Sequence, residues 1–185
     1  MSHTVEFQQR RSKLLSVMGE GLAIVPTAPE TIRNRDSHYP YRFDSYFYYL
    51  TGFKEPESVV VLVGGATPKS ILFCRDKDME REIWDVRCRR VSRQLFRYGA
   101  EAAKTEFGFD EAYSINELDA VMLKLLANQS KLFFSLGEST SWDTRVMGWI
   151  NTLRTQARSG VHVPDDVSDI RQLVDEMRLI KSPFE

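Results

Sequence analysis

SVVVLVGGATPKSILFCR, residues 58–75, holds two apolar, β-branched runs around a Gly- and Pro-bearing turn. SVVVLVGG (58–65) and KSILFCR (69–75) predict two adjacent strands, because β-branched side chains suit a pleated surface and GGATPK supplies the reversal. Upstream, GLAIV (21–25) is a short apolar run bounded by Gly and Pro26, consistent with a buried strand. Before it, Val5 to Met18 places Phe7, Leu14, Leu15 and Met18 at helical spacing and predicts an amphipathic helix ended at Gly19. Downstream, MEREIWDV (79–86) predicts a further strand or an edge, INELDAVMLKLLAN (115–128) a helix and KLFFSLG (131–137) a strand. TSWDTRVMGWINTLRTQAR (140–158) predicts a helix with Trp142, Val146, Trp149, Ile150 and Leu153 along one face. A last helix carries Ile170, Leu173, Val174 and Met177 at the same spacing, with acidic residues near its start. Strands alternate with helices, so the fold class is α/β with a mixed sheet.

The chain has 185 residues, enough for one core or a core plus a docking extension. Its 42% hydrophobic and 28% charged residues are ordinary for a globular protein, and a net charge of −1 argues against a general nucleic-acid or membrane-surface role. MSHTVEFQQRRSKLL lacks the apolar core of a signal peptide, and no apolar run approaches the ~18 residues of a spanning helix. Cys74 and Cys88 are too few for a disulfide framework and have no metal-type spacing. A cytoplasmic setting is the expectation.

Familiar catalytic signatures are missing. GEGLAI (19–24) lacks the third Gly of a dinucleotide turn and precedes its strand instead of following it. VGGATPKS (63–70) has Val63 and Pro68 where a phosphate loop needs Gly, so it reads as a hairpin turn. His3, His38 and His162 form no ligand pair, there is no GxSxG, and the acidic residues are scattered as on a solvated surface. Residues 39–53, YPYRFDSYFYYLTGF, are unusual: eight of fifteen are aromatic, including five of the seven tyrosines. Read as a strand, SYFYYLTG sends Tyr46, Tyr48 and Leu50 to one face and Phe47, Tyr49 and Thr51 to the other. One face then packs on the core. The other, tipped with hydroxyls, suits a half-wet interface.

These segments resemble the N-terminal domain of the aminopeptidase P family, the pita-bread Xaa-Pro aminopeptidases. The resemblance rests on DSHYPYR (36–42), YYLTGF (48–53), KEPE (54–57), EIWDVR (82–87) and DIRQLVDEMRLIKSP (169–183), and so covers nearly the whole chain. Val86 and Cys88 depart from the family pattern, which more often has Gly and Arg there. The resemblance implies a mixed, roughly six-stranded sheet flanked by helices, of the ribonuclease H-like type. It implies an N-terminal domain over residues 1–168, then a helix and linker (169–185) leading to a catalytic domain that is not in this chain. That domain would bind two manganese ions and act on peptides with a penultimate proline. The N-terminal domain itself would contribute no catalytic or metal-binding residue, would build a homo-oligomer (dimer or tetramer), and would approach a neighbouring subunit's substrate pocket.

Three residues follow from this as contributors to that pocket: Trp84, Asp36 and Arg158. On residues alone each has a plainer reading. Trp84, amid Arg81, Glu82, Asp85 and Arg87, reads equally as a core tryptophan; Asp36 reads as a turn or cap residue. Arg158 reads as a cation complementing the C-terminus of its helix. The run Arg87, Arg89, Arg90, Arg93 and Arg97 follows acidic residues and reads as a solvated or paired face. A prolidase or creatinase relative, and a stand-alone interaction module, remain alternatives.

Overall fold

The hairpin at 58–75 lies inside a six-stranded mixed sheet. The computed structural model describes residues 3–35, 37–77 and 97–180. In chain order these form α1 (His3–Met18), β1 (Leu22–Pro26), β2 (Ile32–Asn34), β3 (Ser37–His38), α2 (Ser45–Thr51), β4 (Val59–Val63) and β5 (Lys69–Cys74). Then come α3 (Ala100–Phe107), β6 (Glu111–Ser114), α4 (Leu118–Leu126), β7 (Lys131–Phe133), α5 (Thr140–Thr155), β8 (Asp166–Ser168) and α6 (Ile170–Arg178). The sheet order is β6-β5-β4-β1-β7-β8, with β2 and β3 a separate hairpin. β4 pairs antiparallel with β5 and β1, whereas β7 runs parallel to β1 and β8, and β6 parallel to β5.

Strand alternation divides the apolar residues between two cores. Ala23, Val25, Val60, Leu62, Leu72 and Cys74 face one, which α1, α2, α3 and α6 close. Leu22, Ile24, Val59, Val61, Ile71 and Phe73 face the other, under α4 and α5. The sheet is therefore sandwiched, and each fully buried Leu, Ile or Val contributes roughly 1.5–3 kcal/mol. The face expected for 140–158 is the buried one, with Val146, Trp149, Ile150 and Leu153 inside. α6 buries Ile170, Val174 and Met177 in the first core, so this helix is packed onto the sheet layer. Burial raises the Cys74 thiol to about 12, which leaves it a protonated, apolar filler.

The aromatic segment differs from the strand reading. Ser45–Thr51 is helical, and its ends explain why. Asp44 is an extended N-cap whose Oδ1 accepts from the Tyr46 and Phe47 amides at 2.9 and 2.8 Å. Gly52, at φ +68°, closes the helix by donating to the Tyr48 carbonyl at 2.8 Å. Phe47, Tyr49, Leu50 and Thr51 are buried, and Phe47, Leu50 and Thr51 share one helical face at i, i+3 and i+4. Helix α3 and the short strands β2, β3, β6 and β8 had no expectation attached, and residues 79–86 lie outside the described residues.

Arg11 of α1 braces this layer from within. It is 2% exposed and donates to Leu50 O at 3.0 Å, Phe107 O at 2.9 Å and Gly108 O at 2.5 Å, with its guanidinium 4.0 Å from the Phe109 ring centre. The carbonyls at the ends of α2 and α3 thus meet a cation, the sign that their dipoles favour. Burial lowers its pKa to about 10, with Asp110 opposing, so it stays charged at neutral pH.

Candidate functional site

Most of the aromatic cluster joins α2 to its neighbours. The Tyr49 hydroxyl donates to Met177 O at 3.1 Å, and the Arg10 guanidinium lies over its ring at 4.1 Å. Arg178 covers Tyr46 at 4.9 Å; burial first, then Asp175, raises the pKa of that phenol. Phe43 stacks on Tyr48 at 4.2 Å, Phe7 meets Tyr48 edge-on at 5.8 Å, and Lys54 lies 5.5 Å from the Tyr48 centroid. Tyr41 and Thr27 hydroxyls are 2.8 Å apart, tying the chain after β1 to the approach to α2. The phenols are half apolar and half polar because they bridge a core to hydrogen-bonding backbone.

What stays exposed is the β2–β3 hairpin and the residues after it. Ile32 is 63% exposed and Tyr39 54%, with Arg33 5.8 Å over the Tyr39 ring and Arg35 at φ +40° in the bend. Asp36 falls between the two strands in sequence and lies outside the described residues, as does Trp84. Arg158 is described. It is exposed, in a single 3-10 turn (Ala157–Ser159) after α5, whose last helical turn carries Arg154 as its base. The dipole-complementing role expected of Arg158 therefore belongs to Arg154.

A second constellation was not anticipated. Asp169, which opens the stretch DIRQLVDEMRLIKSP, is the N-cap of α6. Its Oδ1 accepts from the Arg171 amide at 3.0 Å and from Ser135 Oγ at 2.8 Å. Arg171 donates to Asp169 Oδ2 at 2.6 Å and to Glu138 Oε1 at 2.5 Å. These bonds, led by the Arg171 side chain, hold the Asp169 carboxyl down at about 2. The group flanks a crevice of about 370 Å³ at the ends of β1 and β7, lined also by Tyr46, Phe134, Trp142 and Val174. The sequence signal for the cap was Asp before an apolar-periodic run. The crevice had no signal, because its walls come from three separate helices.

Among the described residues, no three His, Cys, Asp or Glu side chains gather where they could hold a metal ion. No helix among them is long and apolar enough to cross a membrane.

Residues 7–134 match the family described as aminopeptidase P, N-terminal domain. Over 183 residues the chain is 38% identical to the Xaa-Pro aminopeptidase of Escherichia coli (strain K12), a match spanning 97% of this chain and 40% of that protein. Proline aminopeptidase P II from Yersinia pestis superposes with a TM-score of 0.89 at 37% identity, over 100% of this chain and 41% of that one. Zinc-substituted E. coli aminopeptidase P, solved in complex with product, superposes with a TM-score of 0.87 at 37% identity, over 97% of this chain and 40% of that one. The chain thus spans well under half the length of the relatives it matches. Family match, sequence identity and superposition agree, and the chain belongs to the aminopeptidase P family as its N-terminal domain.

Proposed function

We propose that the chain is the non-catalytic N-terminal domain of a metal-dependent Xaa-Pro aminopeptidase, which removes the residue before a penultimate proline. The observation that carries this reading is a match over nearly all of this chain but only 40% of its E. coli relative. The donor set among the described residues does not fit a metal centre. The two ions, manganese in this reading, belong to a catalytic domain that would follow residues 169–185, and no chemical step runs through the present residues.

The domain's own work is then assembly and substrate selection. In a homo-oligomer, dimer or tetramer, it would present Trp84, Asp36 and Arg158 to a neighbouring subunit's pocket. Trp84 would give a wall on which a proline ring packs, and Asp36 and Arg158 polar contacts beside it. The exposed β2–β3 hairpin supports this, since an arm with Ile32 and Tyr39 in water is suited to meeting a partner. The enzyme would act in the cytoplasm, with peptides as its ligands and neither nucleic acid nor membrane as a partner. The 185-residue chain should hydrolyse no Gly-Pro peptide with or without manganese, while the protein extended through the catalytic domain should do so only with metal. Metal-dependent cleavage by the purified 185-residue chain would overturn the assignment.

A further inference from the structure

We propose that the crevice at the carboxyl ends of β1 and β7 is a ligand site of this domain in its own right, taking a small uncharged ring compound. β1 and β7 are parallel neighbours, with Leu22 opposite Leu132 and Ala23 opposite Phe133. The chain leaves β1 toward α2, which covers the first core, but leaves β7 toward α5, which covers the second. Adjacent parallel strands whose connections diverge to opposite faces open a crevice at their carboxyl ends, and open α/β sheets bind their ligands there. The volume here, about 370 Å³, lies within the roughly 300–1,000 Å³ of small-molecule sites.

The lining selects the ligand. Tyr46 from α2 and Trp142 from α5 flank the opening, with Phe134, 3% exposed, following β7, and Val174 of α6 fully buried behind them. Arg171, the one cation among the described lining residues, is shared between Asp169 and Glu138. Asp44 Oδ1 is spent on two amides of α2, and Thr27 Oγ1 on Tyr41. What remains on offer is aromatic and aliphatic surface. An anion would meet three carboxylates, Asp44, Glu138 and the adjoining Asp169, against one guanidinium. A cation would shed its water to reach carboxylates already bonded to Arg171 or to the α2 amides, whereas an uncharged ring gains apolar contact and ring stacking.

The test is binding to the ¹⁵N-labelled 185-residue chain, followed by amide shifts. The probes are benzyl alcohol and its charged counterparts benzoate and benzylamine. Benzyl alcohol should give saturable shifts at Ser135, Ser139, Trp142 and Val174, with both ions at least about ten-fold weaker, a separation of about 1.4 kcal/mol. Ser139→Phe, which fills the mouth and removes no core atom, should abolish the shifts; Trp142→Ala should weaken binding about five-fold or more. No saturation by about 10 mM, shifts scattered away from the crevice, equal binding of the ions, or wild-type binding by Ser139→Phe would each overturn the proposal. The readout is binding alone, so its failure leaves the peptidase reading untouched.

Discussion

Gly52→Ala should destabilise the domain far more than Gly160→Ala, although both glycines have positive φ. Gly52 sits at φ +68° and Gly160 at φ +82°, so an alanine at either costs about 1–2 kcal/mol of left-handed strain. Reduced freedom of the unfolded chain returns about 0.4–1 kcal/mol in each case. The surroundings then separate them. A Cβ on Gly52 would lie 2.4 Å from Phe7 Cε2 and 2.7 Å from Cδ2, whereas nothing lies within 4 Å of one on Gly160. Phe7 is half-buried against Tyr48 and can shift only partly, so overpacking adds roughly 1–2 kcal/mol. The totals are about 1–3.5 kcal/mol at Gly52 and about 0–1.5 at Gly160, a difference of about 1–2 kcal/mol carried by the Phe7 contact. Urea denaturation reads both, with unchanged m-values required for the comparison. On a Phe7→Ala background the extra cost at Gly52 should disappear, a coupling of about 1–2 kcal/mol. Equal costs at the two glycines, or no coupling to Phe7, would refute a helical α2 that ends against α1.

Asp44→Ala strands the Tyr46 and Phe47 amides at the other end of α2 and should cost about 1–2 kcal/mol by the same assay, with Asp44→Asn nearly neutral. Asp169, depressed to about 2, contributes stability that is fully present above its ordinary carboxylate pKa and is lost as pH falls through 2. Asp169→Asn keeps the cap, so its deficit isolates the charge. Allowing for solvent screening it should be about 1 kcal/mol at neutral pH and vanish near pH 2. A deficit unchanged at low pH would contradict that origin.

Four strands of the sheet, β1, β4, β5 and β7, were legible because they are apolar and bounded by Gly or Pro, as in 21–25 and 58–75, whereas the edge strands β6 and β8 carry no such run. The helices at 3–18, 118–126 and 140–155 were legible through apolar spacing alone. Residues 45–51 were not, because aromatic side chains favour strands locally while the outcome was set by the caps Asp44 and Gly52, one residue at each end. The tyrosines that suggested an interface were mostly answered inside the domain, by Met177 O, Arg10 and Arg178, contacts that no local pattern announces. Arg154, not Arg158, completes α5, because the helix stops at Thr155, three residues earlier than its polar tail suggested. The crevice was invisible for the same reason as the tyrosine contacts: it is made by tertiary convergence.

The central claim is that this domain shapes a neighbour's substrate pocket through Trp84. The decisive measurement is Trp84→Ala made twice, in the 185-residue chain and in the protein extended through the proposed catalytic domain. The account predicts unchanged melting of the short chain, unchanged metal content in the extended protein, and a several-fold loss of kcat/KM toward proline peptides, from about 0.5–1.5 kcal/mol of lost ring contact. A destabilisation of the short chain by roughly 3–5 kcal/mol, with kinetics of the extended protein intact, would make Trp84 a core residue and contradict the claim.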